Sequence, residues 1–243
     1  MHWYEESFGE DYLLVYRHRT SQSASLEVEQ IIDWLNLSSD DLILDLCCGT
    51  GRHSRALVKK HLHVVGLDLS TTLLTHAVQE TKQAGLSIPF IHGDMRQLPF
   101  VNQSFDVVVN LFTSFGYFTK DEDNLKVLTE IARILKPTGR LIIDYMNHQA
   151  VKENLVPQSE RKENGVQILE QREVQGDYVF KRITISDSHG ERKYVERVKM
   201  YTLEQMMDLF KQAGLNITHT YGDFKGSPYH QQSDRMIFQG CVE

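Results

Sequence analysis

Hydrophobic positions along this chain follow one pattern up to about residue 147 and another beyond it. In the first part, short unbroken apolar runs stand at 41–46, 63–68, 88–92, 105–110 and 140–144. Each is too short for a stable helix and ends in polar or glycine-containing turns, which predicts buried strands. Between them the apolar spacing is helical. Leu26, Ile31, Ile32, Leu35 and Leu37 suit an amphipathic helix over 25–37, and the whole of 1–37 reads as helical with a break near Thr20 and Ser21. A helix containing Leu57 and Val58 follows the first run. Another covers 71–84, capped by Ser70 and stopped by Gly85, and a third covers 121–136, stopped by Pro137 and Gly139. Unbroken strands alternating with helices imply a parallel sheet covered on both faces.

After Asn147 the pattern changes. Residues 163–175, 178–187 and 192–202 are strand-like but of mixed polarity, with glycine turns at 175–177 and 188–190. A helix over 202–213, capped by Thr202 and stopped by Gly214, then leads to two final strands at 216–222 and 235–241. The expectation is an α/β chain: a Rossmann-like, seven-stranded, mostly parallel sheet with helices on both faces, formed by 1–146 and 202–243. Residues 147–201 would form an inserted antiparallel β subdomain lying over the sheet as a lid.

Composition narrows this only a little. A chain of 243 residues, 41% hydrophobic and 24% charged, is ordinary globular material. Its net charge of −7 counts against a broad nucleic-acid footprint. The segment 147–201 carries ten Lys/Arg and nine Asp/Glu, so it offers no basic cluster for phosphates. The three cysteines, Cys47, Cys48 and Cys241, form neither a disulfide framework nor a zinc spacing. His61 and His63 lack further ligands at metal spacing, so no metal is expected. The first twelve residues are acidic and polar, unlike a signal peptide, and no apolar run approaches membrane-span length. A cytoplasmic protein without a membrane partner, monomeric or homodimeric, is expected.

The chemistry concentrates at strand ends. Gly49 and Gly51 follow the first strand and would let a ligand approach the backbone. Asp45, Asp68 and Asp94 end three successive strands, where ligands of open α/β sheets bind. A carboxylate at Asp45 disfavours a pyrophosphate and favours a cationic amine. Asp68, 17 positions after Gly51, suits two ribose hydroxyls, and Asp94 suits an adenine amine. In this ordered set Leu44-Asp-Leu-Cys-Cys-Gly-Thr-Gly51, Val65-Gly-Leu-Asp-Leu-Ser70, Gly93-Asp-Met95 and Leu135-Lys-Pro-Thr-Gly-Arg-Leu141 resemble the motifs of class I S-adenosylmethionine-dependent methyltransferases. Cys47 stands where that family often has glycine. The resemblance covers about residues 40–146 and the final helix and strands. It implies S-adenosylmethionine as cofactor and S-adenosylhomocysteine as product. It assigns the cofactor site to Asp45, Cys47, Gly49, Thr50, Gly51, Arg55, Asp68, Leu69, Asp94, Met95 and Leu111, with Arg55 paired to the methionine carboxylate.

The segment after the fourth strand, Leu111-Phe-Thr-Ser-Phe-Gly-Tyr-Phe118, lies beside the transferring methyl in that family. Phe112, Phe115, Tyr117 and Phe118 would wall an acceptor site, and Thr113 and Ser114 would supply polar handles. Phe8, Tyr12 and Tyr16, together with Thr113-Ser-Phe-Gly-Tyr117 and Tyr201-Thr-Leu-Glu-Gln205, are similar to segments of amino-sugar N-methyltransferases; Tyr117 replaces their histidine. Tyr12 and Tyr117 are the candidate catalytic residues, orienting a small-molecule amine or hydroxyl rather than removing its proton, because a phenol with pKa near 10 is a poor base. An RNA-modifying methyltransferase, a non-catalytic S-adenosylmethionine-binding factor and, more distantly, an NAD-dependent oxidoreductase are the alternatives.

Overall fold

The computed structural model describes residues 2–242. Three helices open the chain: α1 (Trp3–Ser7), α2 (Asp11–Val15) and α3 (Ser21–Leu35). The alternating part follows as β1 (Leu42–Leu46), α4 (Arg52–Val58), β2 (His63–Asp68), α5 (Thr71–Gln83), β3 (Phe90–His92), β4 (Phe105–Asn110), α6 (Asp121–Ile134) and β5 (Leu135–Met146). Then come α7 (His148–Asn154), β6 (Gln158–Glu163), β7 (Val166–Gln175), β8 (Tyr178–Asp187) and β9 (Gly190–Lys199). The chain closes with α8 (Leu203–Gln212), β10 (Leu215–Tyr221) and β11 (Arg235–Val242).

Seven strands form one sheet in the order β10-β11-β5-β4-β1-β2-β3. The pairings from β5 through β3 are parallel, and β11 runs antiparallel to both β5 and β10. Strand periodicity explains why the runs read as continuous. Ile43, Val64, Val107, Val109, Ile142 and Ile237 face α3 and α4 through Val28, Ile31 and Leu57. Their neighbours Leu44, Leu67, Val108, Leu141, Ile143 and Phe238 belong to the second core, with Leu128 and Ile131 of α6 and Phe210 of α8. Both faces are buried, so both sets are apolar.

Strands β6 to β9 form a separate four-stranded antiparallel sheet, in sequence order. Three strands are expected there from the sequence; four are found. Asn164 (φ 50°) and Gly165 (φ 80°) make a tight turn inside the run expected to start one strand at 163. The missed strand, Gln158–Glu163, is wholly polar and lies at the sheet edge, so it has no apolar alternation to reveal it. α7 was also missing from the expected elements. α6 ends at Ile134, earlier than residue 136, because Lys136 precedes Pro137 and takes extended backbone; β5 starts at Leu135 accordingly.

The N-terminal helices act as a strap between the two sheets. Tyr4 sits in the large core, while Val15 packs with Ile168, Ile183 and Ile185 of the antiparallel sheet. Asp11 pairs with Arg192 at 2.6 Å and accepts from Tyr194 at 2.7 Å. Ser70 Oγ donates to the Phe8 carbonyl at 2.6 Å. No described helix is long and apolar enough to cross a membrane.

Candidate functional site

One cavity of about 530 Å³ opens at the C-terminal edge of β1, β2 and β4, roofed by the strap and by one face of the antiparallel sheet. Its size is that of a small-molecule site. At its floor the chain leaves β1 and turns sharply. Cys47, Gly49 and Gly51 all have left-handed backbone, with φ of 61°, 55° and 70°. Cys47 thus adopts the conformation that glycine takes freely, at a cost of roughly 1–2 kcal/mol, and its sulfur lies 3.5 Å from that of Met95. Gly49 keeps an open approach: an added Cβ would meet only Leu73, at 3.9 Å. Gly51 departs from expectation. It does not line the cavity; a Cβ there would lie 2.8 Å from the Phe90 ring, so its smallness serves the packing of α4 on β3.

The three strand-end aspartates meet in this cavity in three different states. Asp45 is 2% exposed and accepts from Ser54 Oγ at 2.5 Å. Burial pushes its carboxyl up, against the opposing pull of His53 and Ser54. Asp68 accepts from the amides of Gly49 and Ser70, each at 2.8 Å, one on each oxygen. Burial raises it too, since those amide bonds only partly offset desolvation. Asp94 is clamped by Arg96, whose Nη2 lies at 2.6 Å. Its burial alone would raise the carboxyl, but the Arg96 bonds outweigh it and hold it below the ordinary range. Leu69, Met95, Leu111 and Thr50 also line the cavity.

The cations are arranged differently from expectation. Arg55 lies at the cavity wall, but it donates to the Thr50 carbonyl at 2.6 Å and pairs with Glu80. It is already neutralised. Arg19, from the strap, is not. Its guanidinium lies between the rings of Tyr16 and Phe112, 4.0 and 4.2 Å from their centroids. It donates to the Tyr12 hydroxyl at 2.9 Å, and its Nε has no partner among the described residues. Arg52 joins it, donating to Ser23 Oγ at 3.0 Å with Glu27 at 3.8 Å. Neither arginine stood out in the sequence. The signal was a pair of basic residues, Arg17 and Arg19, closing an otherwise acidic N-terminal segment.

The segment after β4 is held in strain. Phe112 and Thr113 have φ of 63° and 58°. Such backbone persists only where the surroundings over-determine it. Asp144, 1% exposed at the β5 end, supplies that hold. Its side chain accepts the Phe112 amide at 2.8 Å and its carbonyl accepts the Thr113 amide at 2.9 Å. Arg235 bridges Asp144 (2.7 Å) to Thr113 Oγ1 (2.8 Å). Ser114 Oγ turns back to the Leu111 carbonyl at 2.9 Å. Thr113 and Ser114 therefore line the cavity with hydroxyls already engaged in shaping the loop. Phe112, Tyr117 and Phe118 line it as well. Phe115 does not: it is 1% exposed, packed against Tyr145 and Tyr201, because the loop reversal turns it into the core.

The aromatic wall continues through the strap. Tyr117 meets Trp3 edge-on at 5.1 Å and Phe8 at 5.8 Å; Tyr12 meets Phe8 at 5.5 Å and Tyr16 at 4.6 Å. Burial pushes the Tyr12 phenol up and the Tyr117 phenol well above the ordinary value, so both stay protonated at neutral pH.

Comparison with known proteins fits this geometry. Residues 43–139 match the methyltransferase domain family. Over 229 residues the chain is 26% identical to the putative methyltransferase YqeM of Bacillus subtilis, spanning 87% of this chain and 89% of that one. Over 233 residues it is 28% identical to a glycine/sarcosine N-methyltransferase of Aphanothece halophytica, spanning 94% and 85%. Its fold matches the crystal structure of an S-adenosylmethionine-dependent methyltransferase from Clostridium acetobutylicum with a TM-score of 0.81, at 20% identity and 96% coverage of both chains.

Proposed function

We propose that this chain, an S-adenosylmethionine-dependent methyltransferase, acts on a small-molecule amine bound between the β4 loop and the antiparallel sheet. The observation that carries this reading is one cavity that joins the strand-end carboxylates to the aromatic wall and the roof. Bound S-adenosylmethionine would supply a methyl group already activated towards displacement by its sulfonium charge.

The protein's contribution is placement. Asp68 would receive the ribose hydroxyls on lone pairs that the Gly49 and Ser70 amides leave free. Asp94 would receive the adenine amine beside Arg96, and Asp45 the cofactor's ammonium. Arg19, with Arg52 beside it, would take the methionine carboxylate in place of Arg55. The strap and the β6–β9 sheet, residues 147–201 with their flanks, close over the acceptor and exclude water. Holding the reactants in line supplies much of the rate in such a displacement.

An amine fits better than a hydroxyl. A hydroxyl acceptor requires a base. Tyr12, Tyr16 and Tyr117 cannot serve at neutral pH, because burial pushes all three phenols up. His53 is engaged with Glu27 at 2.5 Å, and a carboxylate such as that of Glu196 in the roof is a weak base towards an alcohol. An amine avoids that need: its ammonium proton passes to water before transfer, which frees the lone pair, and the product leaves as the methylated ammonium. The kinship with a glycine/sarcosine N-methyltransferase points the same way.

The test is S-adenosylhomocysteine binding by calorimetry, combined with transfer of labelled methyl to a panel of small amines and matched alcohols. Transfer to amines is expected. Label appearing only in alcohols, or in transfer RNA, refutes the reading. Arg19→Ala should weaken S-adenosylhomocysteine about tenfold or more, as expected for a lost charged hydrogen bond, while 5′-methylthioadenosine, which lacks the amino-acid end, binds as to the wild type. Arg55→Ala should leave the ratio of the two affinities unchanged. A ratio that moves with Arg55 and not with Arg19 restores the sequence-based assignment.

A further inference from the structure

The roof presents charged groups inward, an arrangement a merely covering sheet would avoid. Alternate residues of β7, β8 and β9 line the cavity: Arg172, Val179, Lys181, Glu196 and Val198. Buried charge costs several kcal/mol per ion unless it is well paired. Glu170 meets that condition: Lys181 lies at 2.6 Å, Arg172 at 2.9 Å and Arg161 at 3.3 Å. Glu196 does not. It is 9% exposed, and its cross-strand partner Lys181 is 4.0 Å away. Tyr16 donates to its Oε2 at 2.5 Å. Its other oxygen, Oε1, is buried with no partner among the described residues.

We propose that Glu196 reads the acceptor, its free Oε1 taking an N–H of a primary or secondary alkylammonium and so selecting amines over isosteric alcohols. This rests on the reading of the cavity as a methyltransferase site. Three features of the cavity support it. The carboxylate lies in the same cavity as Tyr12 and Tyr117, close enough to raise both phenols. Its orientation is fixed in advance: Tyr16 donates to it while accepting from Lys181 at 3.0 Å. Its cation contact is a single long one, to Lys181 at 4.0 Å, whereas Glu170 beside it already serves three. A carboxylate accepts only, so an ammonium satisfies it with a charge and an alcohol does so with a weaker neutral bond. Lys181 is then the positioning residue that keeps Tyr16, and through it Glu196, in register.

The experiment uses full-length protein saturated with S-adenosylhomocysteine, titrated with cyclohexylamine and with cyclohexanol as matched probes. Wild type should bind the ammonium about tenfold or more tightly than the alcohol. Glu196→Gln, which keeps shape and the Tyr16 bond, should abolish that preference while leaving cyclohexanol affinity and S-adenosylhomocysteine affinity unchanged. Tyr16→Phe, which keeps the carboxylate but frees it, should reduce the preference partway. Intact S-adenosylhomocysteine binding with no ammonium preference in wild type, or an equal preference in Glu196→Gln, overturns the role of Glu196 and leaves the methyltransferase reading standing. Failure of wild type to bind S-adenosylhomocysteine removes both.

Discussion

Asp68→Ala is expected to weaken S-adenosylhomocysteine binding about a hundredfold or more. Hydrogen bonds to a charged group are worth about 1.5–3 kcal/mol each, and the proposed site gives this carboxylate two ribose hydroxyls. The substitution also removes a local anchor. The Gly49 amide lies 2.8 Å from Asp68 Oδ2, so the glycine turn loses the group that fixes its position over β2. The two effects can be separated. Asp68→Asn keeps an acceptor for one amide and one hydroxyl, and should fall between wild type and alanine. Adenine affinity should change far less than nucleoside affinity, because Asp94 and Arg96 lie in a separate loop. Calorimetric titration with S-adenosylhomocysteine, adenosine and adenine reads all three. An unchanged affinity in Asp68→Ala, with the fold intact by circular dichroism, would falsify the ribose assignment.

Asp144→Ala is expected to cost about 2–3 kcal/mol of stability, since it removes charged hydrogen bonds from a buried carboxylate while Arg235 keeps partial access to water. Arg235 is left without its carboxylate, and the Phe112 amide loses the acceptor 2.8 Å away. Phe112 and Thr113 would then relax from left-handed backbone, and the cavity wall would move with them. A urea-unfolding midpoint should drop with little change in slope. Asp144→Asn should cost less, since its amide oxygen still accepts from Phe112. A loss below about 1 kcal/mol in Asp144→Ala would show that the loop holds its shape without that pair.

Most of the seven-stranded sheet is legible in the sequence because its strands are buried on both faces. Burial on both faces leaves unbroken apolar runs, and the strand-end aspartates stand out against them. The same rule finds Asp144 at the end of Arg140-Leu-Ile-Ile-Asp144, a fourth acidic strand end, which shapes the loop after β4. The polar edge strand β6 is silent by contrast, and only the Asn164-Gly165 turn betrays it. Arg19 and Glu196 are illegible for another reason. They lie 177 positions apart in the chain and reach one cavity only because the strap folds under the antiparallel sheet. No local spacing encodes that approach. Phe115 shows the converse failure: a run of aromatics marks the wall, but the backbone reversal at Phe112 and Thr113 decides which of them face it.

The placement of Trp3 has a practical consequence. The chain holds two tryptophans. Trp34 stacks on Tyr221 at 4.0 Å, away from the cavity residues, whereas Trp3 is part of the cavity wall and touches Tyr117. A Trp34→Phe protein therefore carries a single tryptophan, in the wall of the site, that can be excited selectively above the tyrosine band. Its emission follows seating of the strap and arrival of the acceptor in real time, without a label and before any product has formed.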